Sequence, residues 1–132
     1  MKGLPTNVTK GLTTSSRLVC DDNSGAKLLM IIGAIGTKGK LARNPSVGVG
    51  DIVIVSVKKG DPKIRKKVER AVITRQRKEF RRANGVRIMF EDNAGVLVDD
   101  QNLPKGTEIK GAIAREVAER YPKVAAIAAA VI

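Results

Sequence analysis

Between Lys58 and Arg82 the chain sets twelve lysines and arginines among only three acids, a net charge of +9 in 25 residues of a chain whose total is +12. No other stretch constrains folding as much. Charged side chains stay in water or meet counter-charges, yet the same stretch carries Ala71, Val72 and Ile73, which read as part of a strand. The segment must therefore combine a core-seeking strand with cations that stay outside. A field this concentrated repels itself unless something negative lies against it. A nucleic-acid backbone supplies closely spaced phosphates and releases counterions when they are neutralised.

A chain of 132 residues with 42% hydrophobic content is long and apolar enough for one core. That core is built from Val, Ile, Leu and Ala, because Phe80, Phe90 and Tyr121 are the only aromatic residues. Three scattered rings cannot form the stacking platform of a single-strand RNA binder. Contact with phosphates and with the shape of a folded, mostly double-stranded RNA fits better. With no histidine and one cysteine, Cys20, a Cys/His zinc site, a Ser-His-Asp triad and a Cys-His dyad are all excluded. No cofactor is expected. A lone thiol fits a reducing cytosol. Residues 1–7 lack the apolar run of a secretory signal, and the longest apolar stretch, 124–132, is too short to span a bilayer.

Along the chain, residues 1–16 read as an irregular arm. Strands are expected at 17–20, 26–35, 51–57, 68–75 and 96–98. Val53, Val55 and Val57 share one face of the third of these, with Ile52 and Ile54 on the other, so cover on both sides is expected. Ala83-Asn84-Gly85 reads as a hairpin turn joining a basic strand, 75–82, to 86–90. Short strands with glycine-containing breaks predict a small barrel over 17–103. After Pro104, Ala114, Val117, Ala118 and Tyr121 recur at helical spacing and Pro122 closes that helix. Residues 123–132 read equally as a second short helix or a packed tail. The fold class is mainly β, with one domain over 17–132 whose part from 104 carries short helices.

A single run of four or five lysines would read as a solvated face. Here the cations are arranged on a hairpin whose two faces both carry charge, which favours nucleic-acid contact. Residues 33–40 miss the phosphate-loop pattern, because Leu41 stands where Ser or Thr would meet magnesium. Gly48-Val49-Gly50 begins a dinucleotide fingerprint that Val53 breaks. The pairs Asp21/Asp22, Glu91/Asp92 and Asp99/Asp100 read as turn formers rather than metal or acid–base sites. Asp21-Asp22-Asn23-Ser24-Gly25 is echoed by Glu91-Asp92-Asn93-Ala94-Gly95, which suggests equivalent turns at strand ends.

These segments carry a family resemblance. Asp21-Asn23-Ser24-Gly25-Ala26, Gly48-Val49-Gly50-Asp51, Ala71-Val72-Ile73-Thr74-Arg75-Gln76-Arg77-Lys78, Arg81-Arg82, Asn84-Gly85 and Phe90-Glu91-Asp92-Asn93-Ala94-Gly95-Val96 together resemble the universal family of large-subunit ribosomal protein fourteen. The N-terminal arm, Lys58-Lys59-Gly60-Asp61-Pro62, Arg65-Lys66-Lys67-Val68 and Tyr121-Pro122 are similar to its archaeal and eukaryotic branch. The resemblance implies a five-stranded barrel, a projecting basic ribbon and a C-terminal segment with small helices. It implies a cytoplasmic, ribosomal, non-catalytic role: binding large-subunit rRNA and contributing to intersubunit bridges with small-subunit rRNA. It further implies contact with large-subunit protein three and with the subunit anti-association factor, and no membrane or obligate homo-oligomer.

The residues expected at RNA are Lys38, Lys40, Arg43, Lys58, Lys59, Lys63, Arg65, Lys66, Lys67, Arg75, Arg77, Lys78, Arg81 and Arg82. Those expected at a protein partner are Arg115, Glu116, Glu119 and Tyr121. A free translation or RNA-processing factor and a DNA-architectural protein are the rival readings. The second would need a dimer and a groove-reading element, and the sequence carries the signature of neither.

Overall fold

The β-branched runs form the strands they predict. The computed structural model describes residues 8–36 and 39–132. Its elements are β1 (Arg17–Cys20), β2 (Ala26–Ala34), β3 (Ile52–Gly60), β4 (Val68–Arg75), β5 (Phe80–Arg81), β6 (Arg87–Ile88), β7 (Ala94–Val98), β8 (Ile109–Ile113), α1 (Arg115–Arg120), α2 (Pro122–Ala126) and β9 (Ala128–Val131). Strands β1, β2, β3, β4 and β7 close a barrel in that order. Neighbours are antiparallel except at the seam, where β1 meets β7 in parallel with Val19 opposite Ala94 and Cys20 opposite Gly95.

Alternation decides what fills the barrel. Leu18, Leu29, Ile31, Val53, Val55, Val57, Ala71, Ile73 and Leu97 point inward and form one cluster. On the other face, Ile52, Val72, Val96 and Val98 form a second cluster with Phe80, Ile109, Ile113, Val117, Tyr121 and Val124. The C-terminal segment thus covers the outside of β3, β4 and β7. All five residues of β7 are buried for this reason. Ile52 is covered on its own side of β3, whereas Ile54 is only half-buried.

The expected C-terminal helices are present, but two strands accompany them. β8 and β9 pair in parallel, Ile109 with Ala128 and Ile113 with Val131. Pro122 sits at the first position of α2, where its missing N–H costs nothing. Residues 123–132 are therefore both a short helix and a strand. The arm is also more ordered than expected where it is described. Val8 and Leu12 are buried, and Leu12 exchanges two main-chain hydrogen bonds with Val47, at 3.0 and 2.8 Å.

Candidate nucleic-acid interface

The cationic block divides in two around β4. Six cations, Lys58, Lys59, Lys63, Arg65, Lys66 and Lys67, lie before or at its start, on the end of β3 and the loop to β4, and all are exposed. Arg77, Lys78, Arg81 and Arg82 follow its end, around the β5–β6 hairpin. The eight residues of β4 hold these groups apart by roughly 25 Å along the strand. In between, Ala71, Val72 and Ile73 are fully buried.

The β3–β4 loop is braced. The Asp61 carbonyl accepts from the Ile64 and Arg65 amides at 3.0 and 2.9 Å. Lys66 donates its amide to the Val57 carbonyl at 2.8 Å, and Val57 donates back to Lys67 at 3.0 Å. Half-buried Ile64 packs on the barrel cluster. Gly60 has φ +151°, and a Cβ there would lie 2.6 Å from the Gly25 carbonyl oxygen, so only glycine lets the loop sit against the β1–β2 turn. Among the described residues none of the six cations makes an ion pair. They are held close together on ordered backbone, and the one acid of the loop, Asp61, pairs with none of them.

The hairpin forms as the Asn-Gly turn requires. Gly85 has φ +86°, and the Asn84 side-chain oxygen accepts from the Val86 amide at 3.0 Å. Its ribbon is short, with two residues in each strand. One face is docked: Phe80 is 1% exposed and packs with Ile88 and Phe90 on the C-terminal cluster. Arg77, Lys78 and Arg81 remain exposed, and Arg77 gives Nε to the Glu91 carbonyl at 2.7 Å.

Two arginines expected at phosphate are instead internal. Arg75 places Nε and Nη2 on the two carboxylate oxygens of Asp92, at 2.9 and 3.0 Å, and Nη1 on the Ala112 carbonyl at 2.9 Å. It also forms an ion pair with Asp21. Burial opposes its charge, but hydrogen bonds and attraction from Asp92 and Asp21 outweigh that and hold the guanidinium above its ordinary pKa. Arg82 grips Glu116 through Nε at 2.9 Å and reaches the Ile132 main-chain oxygen at 2.6 Å. A charge count cannot anticipate this, because the acids lie far along the chain. Of the remaining sites, Lys40 and Arg43 are exposed on the β2–β3 connection, and Lys38 lies outside the described residues.

The expected partner face is similarly reduced. Glu116 and Tyr121 are buried, and burial raises the Tyr121 pKa. Arg115 is exposed and Glu119 half-buried, so these two face outward. Gln76 and Arg87 were not anticipated. Gln76 is fully buried and ties the arm to the barrel, while Arg87 stands exposed on the hairpin.

A closed small barrel carrying exposed cations that make no ion pair among the described residues defines a basic β-barrel protein. Comparison with known proteins gives the particular family. Residues 11–132 match the model of the family described as ribosomal protein L14p/L23e. The chain is 51% identical over 132 residues to large ribosomal subunit protein uL14 of Methanoregula boonei, covering all of both chains. It is 52% identical over 128 residues to that of Methanococcus maripaludis, covering 97% of each, and 49% identical over 132 residues, all of both chains, to that of Halorubrum lacusprofundi. The chain belongs to the ribosomal protein L14p/L23e family, whose members are structural proteins and not enzymes.

Proposed function

We propose that this chain is a structural constituent of the large ribosomal subunit in the cytoplasm that binds large-subunit rRNA through two cationic surfaces. The carrying observation is the braced β3–β4 loop, where Lys58, Lys59, Lys63, Arg65, Lys66 and Lys67 stand exposed and, among the described residues, without an ion pair. Ordered loop backbone reduces the entropy lost when these side chains meet phosphates. Arg77, Lys78 and Arg81 supply the second surface, and Lys38, Lys40 and Arg43 join from the β2–β3 connection. Small-subunit rRNA at intersubunit bridges and large-subunit protein three complete the set of neighbours. The anti-association factor docks at the C-terminal segment. Arg115 and Glu119 face outward there, and among the described residues β9 pairs with β8 alone, which gives an added strand an edge to pair with.

The test replaces Lys63, Arg65, Lys66 and Lys67 together by Ala and measures binding to large-subunit rRNA across a salt series. Each lost phosphate contact lowers the slope of log affinity against log salt by roughly 1 unit. An unchanged slope rejects the assignment. In sucrose gradients the wild-type chain is expected with large subunits, and recovery only in the light fractions favours a free RNA-processing factor.

A further inference from the structure

The β5–β6 hairpin sets two arginines directly opposite each other. Phe80 pairs with Ile88, and Arg81 pairs with Arg87. Directly opposed residues of an antiparallel pair share a face, with Cβ atoms about 5 Å apart. Phe80 is buried toward the C-terminal cluster, so the arginine pair lies on the outer face, and both side chains are exposed. Like charges in this arrangement disfavour the ladder they sit on. Among the described residues Arg87 has one partner, Glu79, at 3.0 Å, and that pair is open to water. Among the described residues Arg81 has neither an ion pair nor a side-chain hydrogen bond. Glu79 thus pairs with Arg87, and among the described residues no carboxylate pairs with Arg81.

The backbone under this pair is fixed from three directions. Phe80 is packed below, Arg82 is bound to Glu116, and the Arg82 amide donates to the Val86 carbonyl at 2.9 Å across the turn. The hairpin cannot relieve the repulsion by opening without losing these contacts. We infer that Arg81 and Arg87 form a seat for a single phosphate of an RNA backbone, and that Glu79 is a resident counter-charge which the phosphate displaces. The inference rests on the rRNA-binding reading and adds to it a defined anion site and Arg87, a residue outside the dense cationic block. Two guanidinium forks facing one tetrahedral anion can each donate to a different oxygen. Beside the pair, Val86 and Met89 are exposed apolar residues, the latter at 69%, which gives sugar edges an uncharged surface to lie on.

The test uses the full chain and large-subunit rRNA in filter-binding titrations over a salt series. Arg87 and Arg81 are exposed, so Arg81→Ala and Arg87→Ala keep the fold, which circular dichroism verifies. Each single variant is expected to weaken binding several-fold, and the double variant to lower the salt slope by roughly 1 unit, for the one phosphate the pair shares. Glu79→Gln is expected to tighten binding in the wild-type background and to do so less, or not at all, when Arg87 is already Ala. This coupling is the signature of displacement, since a general loss of negative charge would act equally in both backgrounds. An unchanged slope for the double variant, Arg81→Ala with Arg87→Ala, overturns the inference and points to an acidic protein as the partner of this face. Equal tightening by Glu79→Gln in both backgrounds overturns it as well. If the β3–β4 loop variant loses slope while the double arginine variant does not, the anion seat alone fails. If neither does, the rRNA-binding reading fails with it.

Discussion

Arg75 and Asp92 meet in a two-pronged ion pair, with Nε to Oδ1 at 2.9 Å and Nη2 to Oδ2 at 3.0 Å. Asp92 belongs to one of two similar pentapeptides, and Asp21, the first residue of the other, meets the same guanidinium. The two turns lie side by side at the parallel seam of the barrel, where the Val19 amide donates to the Asn93 carbonyl at 2.9 Å and the Asp21 amide to Gly95 at 3.2 Å. One arginine therefore joins the start of β7, the end of β1 and, through Ala112, the covering strand β8. The short internal echo has a physical purpose: each copy supplies one carboxylate to a shared cation.

Removing that cation leaves Asp21 in a site where its side chain is only 11% exposed. Breaking a buried pair from one side costs about 3 kcal/mol or more, because the other charge stays behind. Arg75→Ala is therefore expected to lower unfolding free energy by about 3 kcal/mol in urea titrations. Arg75→Lys keeps the charge but loses the fork, and recovers only part of the loss. If Arg75→Ala weakens RNA binding without loss of stability, Arg75 is a phosphate contact after all.

Gly111 on β8 is the floor of the same site. A Cβ at this position would collide with Arg75 Nη1 and with Asp21 Oδ2. Both atoms are tied into the ion-pair network, so neither can retreat freely. Gly111→Ala is expected to destabilise by about 1–3 kcal/mol through overpacking. Combined with Arg75→Ala it should cost less, since one of the two obstructing groups is gone and Asp21, released from the guanidinium, can turn aside. Additive costs in the double variant would refute the account.

How much of this was legible follows from the range over which each signal acts. Strands β1 and β4 have the bounds their β-branched runs predict, and the Asn84-Gly85 turn is local chemistry. β7 begins at Ala94, two residues before the expected 96, because its partners on β4 and β1 continue the ladder through Gly95. Strands β8 and β9 carry little local signal: Lys110-Gly111-Ala112 and Ala128-Ala129-Ala130 have low strand propensity and are held by pairing and cover. Charge density located the cations but not their fate. Arg75 and Arg82 read like Lys66 and Lys67, and only folding brings Asp21, Asp92 and Glu116 to the first two.

Gln76 shows the same limit at a neutral residue. It lies between two arginines in sequence, yet its amide is fully buried, with Nε2 donating to the Thr9 and Lys78 carbonyls at 2.6 and 2.9 Å and Oε1 accepting from Val49 at 3.0 Å. Gln76→Leu fills the space but leaves these main-chain groups unmet, at about 3 kcal/mol in total. The arm is expected to loosen first. Trypsin should then cut after Lys10, which in the wild type is also held by Asp51 at 2.8 Å, well before the barrel is digested. Equal cutting rates at Lys10 in variant and wild type would show that the arm has other anchors.

Cys20 gives a chemical readout of the barrel end. Burial, and then the nearby Asp22 carboxylate, disfavour the thiolate and push the pKa up to about 12 from 9.0. At pH 9 the folded chain is expected to react with iodoacetamide far more slowly than the urea-unfolded chain. The native state holds this proton more tightly than the unfolded one. The stability linked to Cys20 is thus intact below pH 9 and declines as pH rises from 9 toward about 12. Cys20→Ala should remove that part of the alkaline decline and leave the rest.

The second internal arginine makes the C-terminal segment dependent on the hairpin. Arg82 and Glu116 are 10% and 5% exposed at their side chains, and Arg82 also holds the Ile132 main-chain oxygen, which follows β9. Arg82→Ala leaves Glu116 buried without a cation and frees the end of β9. The expected cost is about 3 kcal/mol, with faster amide hydrogen exchange at Val131 and Ile132 than in β4. Replacing both partners by apolar residues, Arg82→Met with Glu116→Leu, should recover most of the stability because no charge is then stranded. It should not restore the slow exchange at Ile132, whose amide donates to Ile113 at 2.9 Å only while β9 lies in place. The double variant therefore separates the electrostatic contribution of the pair from its role in holding the last strand. If exchange at Ile132 recovers along with stability, the hydrogen bond from Arg82 is not what keeps β9 on β8.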